Sequence, residues 1–228
     1  IDNTFATPFC QRPLEMGVDF VVHSLTKGIC GYGTDVGGAV ITARRHYDHI
    51  LQYRKDFGGV LAPKSAWPIL VYGLPSLPVR MKRQQETALE VAKFLQGDRR
   101  VASVHYPGLD TFPYYLDAKK QMRDYEGNFA PGSLLYFTLK GKDAETRKRK
   151  AERLINFLAK NAYAVTLAVS LGNIRTLVEH PSSMTHSTIP VEKQVQRGVD
   201  PGGIRLSIGL EDAADIITDL SSGLRRLD

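Results

Sequence analysis

The sequence is poor in cysteine. Only Cys10 and Cys30 occur among 228 residues, and neither sits in a CxxC pair. That excludes a disulfide framework and makes a reducing, cytoplasmic setting the expectation. There is no run of about 18 continuous apolar residues, so no membrane-spanning helix is expected. No secretory signal pattern is present. No repeat with a period of about 20–50 residues is evident. The chain is basic, with a net charge of +6, yet it has no long cationic tract. Its densest cluster is RKRK at 147–150, inside an amphipathic helix expected over 143–160, and reads as a solvated helix face. Basic residues do not interleave with aromatics in the manner of RNA binders, so no nucleic-acid partner is expected. An initiating methionine is also missing. The opening IDNTFATPF reads as the end of a strand, so an N-terminal part of a longer protein is expected ahead of it.

Hydrophobic residues make up 43% of the chain, enough for one large or two small domains. Strands are expected at VDFVVHSL (18–25) and GGAVIT (37–42), both β-branched and flanked by glycine. ARRHYDHILQYRKDF (43–57) has helical spacing. The apolar stretch 65–81 carries Pro68, Pro75 and Pro78, which predicts broken helices. A long helix is expected from Val79 to Gln96, closed by Gly97. Further strands are expected within 101–109, 132–140, 165–172 and 202–212. FPYYLDAKKQM reads as a helix, and the stretch 142–166 has no reading beyond an exposed helix. An amphipathic helix with Ile216, Ile217 and Leu220 ends the chain. The alternation predicts an α/β class: residues 1–78 as the end of one domain, 79–100 as a connecting helix, and 101–228 as a smaller α+β domain.

Lys27 draws attention first. A lysine bordering a buried strand can serve as a nucleophile or base, and can form Schiff bases with carbonyl ligands. Ser24 and Thr26 lie two apart and are read as sharing one strand face, where their hydroxyls could hold a phosphate. The glycines at 28, 31, 33, 37 and 38 would let the backbone come close to a ligand. By itself this pattern also fits an ordinary surface lysine after a strand. Asp2 lies at the end of the preceding strand, where parallel sheets gather ligand chemistry. A carboxylate there can keep a heteroaromatic nitrogen protonated, although it also fits a turn residue.

The stretch DNTFATPFCQRPLEMGVDFVVHSLTKGICGYGTDVGGAV (2–40) resembles the Cys/Met metabolism family of pyridoxal-phosphate enzymes. That family includes methionine γ-lyase, the cystathionine lyases, cystathionine γ-synthase and O-acylhomoserine sulfhydrylase. Its usual wording is DNTF, QxPLxxGAD, then VxHSxTKYxxGH. AVSLGNIRTLVEHPSSMTHS (168–187) and GIRLSIGLED (203–212) resemble later family motifs in the same order. The resemblance implies a fold type I enzyme, with this chain holding the C-terminal part of the large, mostly parallel α/β domain and the small α+β domain. It implies pyridoxal 5'-phosphate as cofactor, with Lys27 as its Schiff-base lysine, Asp2 at the pyridinium nitrogen, and Ser24 and Thr26 at the phosphate. It also implies that Arg205 clamps the substrate α-carboxylate, helped by Ser170. Glu179, His180 and His186 have no convincing metal-ligand spacing and are not expected in catalysis.

The sequence departs from the family in places. Gly28 stands where tyrosine is common, and CGYG replaces the usual NGH. Cys30 is read as a small buried side chain. Val169 stands where cystathionine-handling members commonly have Glu, which favours smaller substrates. The expected reaction is α,γ-elimination of methionine or a related γ-substituted amino acid, giving a 2-oxo acid, ammonia and a thiol. Its alternative is γ-replacement on an O-acylhomoserine. A non-catalytic fragment or paralogue that docks on a complete subunit is the rival of another class. The resemblance further implies a homo-oligomer, a dimer of dimers with site residues shared between subunits.

Overall fold

The computed structural model of the chain describes residues 1–184, 191–196 and 198–228. Its first sheet pairs β1 (Phe20–Ser24) with β2 (Gly38–Thr42), antiparallel. The opening of the chain adds to β1 through a parallel bridge between Asp2 and Val22. Asn3 N–H donates to Val22 O at 2.9 Å, and Val22 N–H donates to Ile1 O at 2.8 Å. Residues 1–3 therefore pair in strand fashion beside β1, and Thr4 and Phe5 lie in the turn that follows.

The second sheet has five strands: β3 (Val101–His105), β4 (Leu134–Leu139), β5 (Val165–Leu167), β6 (Thr176–Glu179) and β7 (Gly203–Ser207). Their spatial order is β3-β4-β7-β6-β5, antiparallel except between β5 and β6. The helices are α1 (Thr7–Cys10), α2 (Tyr47–Phe57), α3 (Pro63–Pro68), α4 (Leu74–Gly97), α5 (Tyr115–Gln121), α6 (Ala144–Asn161), α7 (Val191–Gln196) and α8 (Ala213–Leu224). No described helix is long and apolar enough to cross a membrane.

Side chains on a strand alternate between its two faces. Leu135, Phe137 and Leu139 of β4 and Ile204 and Leu206 of β7 fall in one buried cluster with α4, α6 and α8. The same alternation turns Arg205 and Ser207 to the opposite face. Register sets Glu179 of β6 directly across from Arg205. Polar groups thus collect on the sheet face that the helices leave open.

Helix α6 is more than an exposed rod. Asp143 caps it by accepting Thr146 N–H at 2.7 Å. Ala151, Leu154, Ile155 and Leu158 then bury one stripe, and the RKRK cluster lies outside that stripe. Helix α4 starts earlier than the periodicity indicated. Pro75 falls in its first turn, where a missing N–H costs no ladder bond, and a π turn at Ile69–Gly73 precedes it. Its buried stripe is Leu77, Arg80, Met81, Gln84, Thr87, Ala88, Val91, Ala92 and Leu95. Leu77 and Met81 pack with Phe9, Cys10 and Ala130, while Ala88 to Leu95 join the main core. One helix therefore serves both clusters.

The strand expected over 165–172 ends at Leu167. Five residues beyond it, Gly172 takes φ +72° and donates its N–H to Ser207 Oγ at 2.8 Å. Strand β6 and helix α7 were not anticipated. All four residues of β6 are buried, so its sequence carries no in–out alternation to read.

Candidate active site

After β1 the chain enters a π turn at Leu25–Ile29, in which Lys27 departs from helical geometry with φ −91° and ψ −133°. Lys27 therefore follows the strand by three residues rather than ending it. Its Nζ donates to Ser170 Oγ at 2.9 Å. Ser24 and Thr26 do not share a strand face, because the turn intervenes between them. Ser24 closes β1 and donates its N–H to Thr4 Oγ1 at 2.8 Å. Thr26 lies in the turn, where its Oγ1 accepts Gly37 N–H at 3.0 Å and makes a long 3.4 Å bond to Gly37 O.

Arg205 approaches from β7. Its Nη2 donates to Ser170 O at 3.0 Å and forms an ion pair with Glu179 Oε2 at 2.9 Å. The Glu179 side chain is only 1% exposed, so the pair sits at the base of the cluster. Burial pulls Arg205 below its ordinary value, and the Glu179 charge opposes that shift. Asp2 is exposed, and its Oδ1 accepts Thr4 N–H at 2.9 Å. Hydrogen bonds from Thr4, side chain before backbone, hold the carboxyl below its ordinary value against partial desolvation. His23 is buried, and that burial lowers its own value while Asp2 pulls the other way.

The structure thus brings Lys27, Ser170 and Arg205 into one chain of contacts. Ser24 and Thr26 flank Lys27 along the backbone, and Asp2 joins through its bridge to β1. An apolar cavity of about 500 Å³ opens elsewhere, lined by residues such as Leu25, Ile41, Ile69 and Leu70. Lys27, Ser170 and Arg205 do not line it.

The glycines around Lys27 do different work from that expected of them. A Cβ at Gly172 would run into the backbone nitrogen of Gly28. A Cβ at Gly28 would come within 2.8 Å of the Thr7 methyl group, and one at Gly33 within 2.8 Å of Asn173 Nδ2. These positions close protein against protein, seating the Ser170 loop on the Lys27 turn, rather than opening space for a ligand. Gly172→Ala adds a methyl group at positive φ against backbone. It is expected to cost about 2–4 kcal/mol, read as a lower urea midpoint at unchanged slope.

Two residues of the site region escaped the sequence reading. Arg80 on α4 is buried, and its guanidinium donates to Gly28 O (2.9 Å), Ile29 O (3.1 Å) and Gly73 O (2.7 Å), and through Nε to Ser76 Oγ (2.9 Å). One turn on, Gln84 donates to Asn173 O at 2.9 Å, and Ile174 N–H donates to Gly31 O at 2.8 Å. The available signal was polar residues at core positions of an amphipathic helix.

Cys30 is fully buried, with its sulfur 3.6 Å from Thr34 Oγ1. Burial pushes the Cys10 thiol up to about 12. His180 is held between Ser183 Oγ (2.8 Å) and Pro201 O (2.7 Å). His186 lies outside the described residues.

The model of the family described as Cys/Met metabolism PLP-dependent enzyme matches residues 1–225. An L-methionine gamma-lyase of Fusobacterium nucleatum subsp. nucleatum is 42% identical over the whole chain, which covers 54% of that protein. A solved cystathionine gamma-lyase of Micromonospora echinospora superposes with a TM-score of 0.87 at 35% identity, over 98% of this chain and 55% of its own. A cystathionine gamma-synthase of Xanthomonas oryzae pv. oryzae, solved with aminoacrylate and cysteine, gives a TM-score of 0.87 at 36% identity, over 99% and 55%. The chain spans about half the length of the curated relatives it matches.

Proposed function

Because the chain belongs to the Cys/Met metabolism PLP-dependent enzymes, we propose that it carries the catalytic lysine of an enzyme acting on sulfur amino acids. The favoured reaction is α,γ-elimination of methionine or a related γ-substituted amino acid to a 2-oxo acid, ammonia and a thiol. The observation that carries this reading is the Lys27 amine 2.9 Å from Ser170 Oγ, with Arg205 anchored 3.0 Å from the Ser170 carbonyl. An amine that moves protons and a cation that holds a carboxylate thus meet at one loop.

The residues fit pyridoxal 5'-phosphate by the chemistry of their donors. When bound, that group supplies an electron sink for a carbanion beside the substrate amine. Lys27 would anchor it covalently and, once released, would take the proton from substrate Cα. Asp2, held anionic by Thr4, suits a protonated ring nitrogen. Thr26 accepts from Gly37 N–H and makes only a long contact to Gly37 O, which leaves its hydroxyl proton to turn toward a phosphate. Ser24 supplies a second hydroxyl. Arg205 holds the substrate α-carboxylate, and the Ser170 hydroxyl, already hydrogen-bonded to Lys27, stands beside it. Position 169 is an exposed valine, so it offers no carboxylate to the distal ammonium of a longer substrate.

A second reading, γ-replacement by a sulfur nucleophile, is favoured by the likeness to the cystathionine gamma-synthase structure. The same residues begin both reactions. In the proposed assembly, a cytoplasmic dimer of dimers, residues 1–78 complete the large domain, 79–100 connect, and 101–228 form the small domain. Full-length protein supplied with methionine is expected to release 2-oxobutanoate, ammonia and methanethiol in equal amounts. Homocysteine from O-acetylhomoserine and sulfide, without 2-oxobutanoate from methionine, would establish replacement instead. Turnover of neither would leave the docking fragment.

A further inference from the structure

The geometry points to Arg80 as a positioning residue for Lys27. Its guanidinium fixes the turn that aims Nζ at the Ser170 loop, and this inference rests on the reading of Lys27 as the cofactor lysine. The carbonyls that Arg80 takes from the turn, Gly28 O and Ile29 O, belong to the two residues directly after Lys27. They follow the point where Lys27 leaves helical geometry. A regular helix would satisfy such carbonyls from within. Here a planar cation reaches in from another helix, with donors spread widely enough to meet both.

The surroundings are built to admit that cation. Arg80 is 3% exposed, and no described carboxylate lies within ion-pairing distance of it. Three carbonyl dipoles, the Ser76 hydroxyl and the ring face of Tyr32, whose centroid is 5.7 Å away, carry the charge instead. Burial lowers its ordinary value, so the cation is retained at a cost in solvation. A Cβ at Gly31 would occupy the place of the guanidinium itself. A Cβ at Gly73 would stand 2.6 Å from Ile29 O. The second and fourth glycyl positions of the pattern G28, G31, G33 and G73 are therefore spaces for the Arg80 clamp and for the helix that delivers it. A side chain needed only to fill a core would not call for a buried cation aimed at the residues that follow the lysine.

The test measures Lys27 itself rather than turnover. Full-length protein stripped of cofactor is exposed to pyridoxal phosphate, and the reaction is quenched with borohydride at timed intervals. The Lys27 amine condenses with the aldehyde and loses water, and hydride from borohydride then adds to the C=N carbon to leave a stable secondary amine. Peptide mass mapping gives the label at Lys27 relative to surface lysines such as Lys55 and Lys160. Arg80→Met is expected to lower the Lys27 share at least tenfold, with a smaller fall for Arg80→Lys. Loosening of the whole fold would raise labelling at the other lysines and is read separately from the thermal midpoint. A folded Arg80→Met protein that labels Lys27 at the wild-type share overturns the inference. Should Arg80→Met fail to fold, Arg80→Lys, which keeps the buried charge, carries the same decision. Wild-type protein that takes no label at Lys27 overturns the underlying reading as well, which separates the two failures.

Discussion

Lys27→Ala is expected to abolish the visible absorbance that full-length protein acquires with pyridoxal phosphate, and to lower turnover by about 10²–10⁴-fold. That is the range typical of losing a positioned proton-transfer group. The stability cost should be small by comparison. The Lys27 side chain is half-buried and, among the described residues, makes one hydrogen bond, to Ser170 Oγ. Losing a bond of this kind costs about 0.5–1.5 kcal/mol. The two quantities separate cleanly when absorbance, turnover and urea midpoint are measured on one preparation. A variant that keeps the visible band would show that the cofactor is held by another group.

The second large effect should come from Arg205→Gln, and it should have two parts. The change removes the cation proposed to hold the substrate carboxylate, and it also takes an ion-pair partner from Glu179, which is 1% exposed. Losing one partner of a buried ion pair costs about 3–5 kcal/mol. Loss of a charged contact worth about 2–4 kcal/mol would also lower kcat/KM by about 30- to 10³-fold. A double variant, Arg205→Gln with Glu179→Gln, resolves the parts. With both charges gone it should regain most of the lost stability while kcat/KM stays low. If kcat/KM recovers along with stability, Arg205 serves the fold rather than the substrate. Both contacts of Arg205 are made through Nη2, so an arriving carboxylate competes with Glu179 for one cation. Glu179→Gln alone is therefore the variant in which that competition disappears.

Much of the fold was legible because its elements have a clear period. The alternating residues of β4 and the stripe of α6 or α8 can be read without neighbours. What escaped had no period to read. Strand β6 is buried on every residue, and β5 ends at Leu167, five residues before the positive-φ Gly172. In the candidate site, Lys27, Ser170 and Arg205 could be singled out together because each stands in a recognisable motif. Arg80 and Gln84 could not. Their contacts across the site are to backbone atoms far along the chain, 52 residues from Arg80 to Gly28 and 89 from Gln84 to Asn173. The glycines were read as room for a ligand because a one-dimensional pattern does not say which body fills the space beside them. The pairing of Ser24 with Thr26 failed for a related reason: a π turn begins between them, and the period of two ends there.

Helix α4 has a further consequence. Arg80 holds the Lys27 turn and Gln84 holds the Ser170 loop, four residues apart on one rod. That interval is a rise of about 6 Å and roughly one turn. The Lys27 turn and the Ser170 loop are thus indexed to each other by helical register. If the five-stranded sheet shifts against the β1–β2 sheet, α4 carries both attachments together and their spacing survives. Removing a single residue between Arg80 and Gln84 would instead turn one attachment by about 100° away from the other, disconnecting the two loops while leaving each intact.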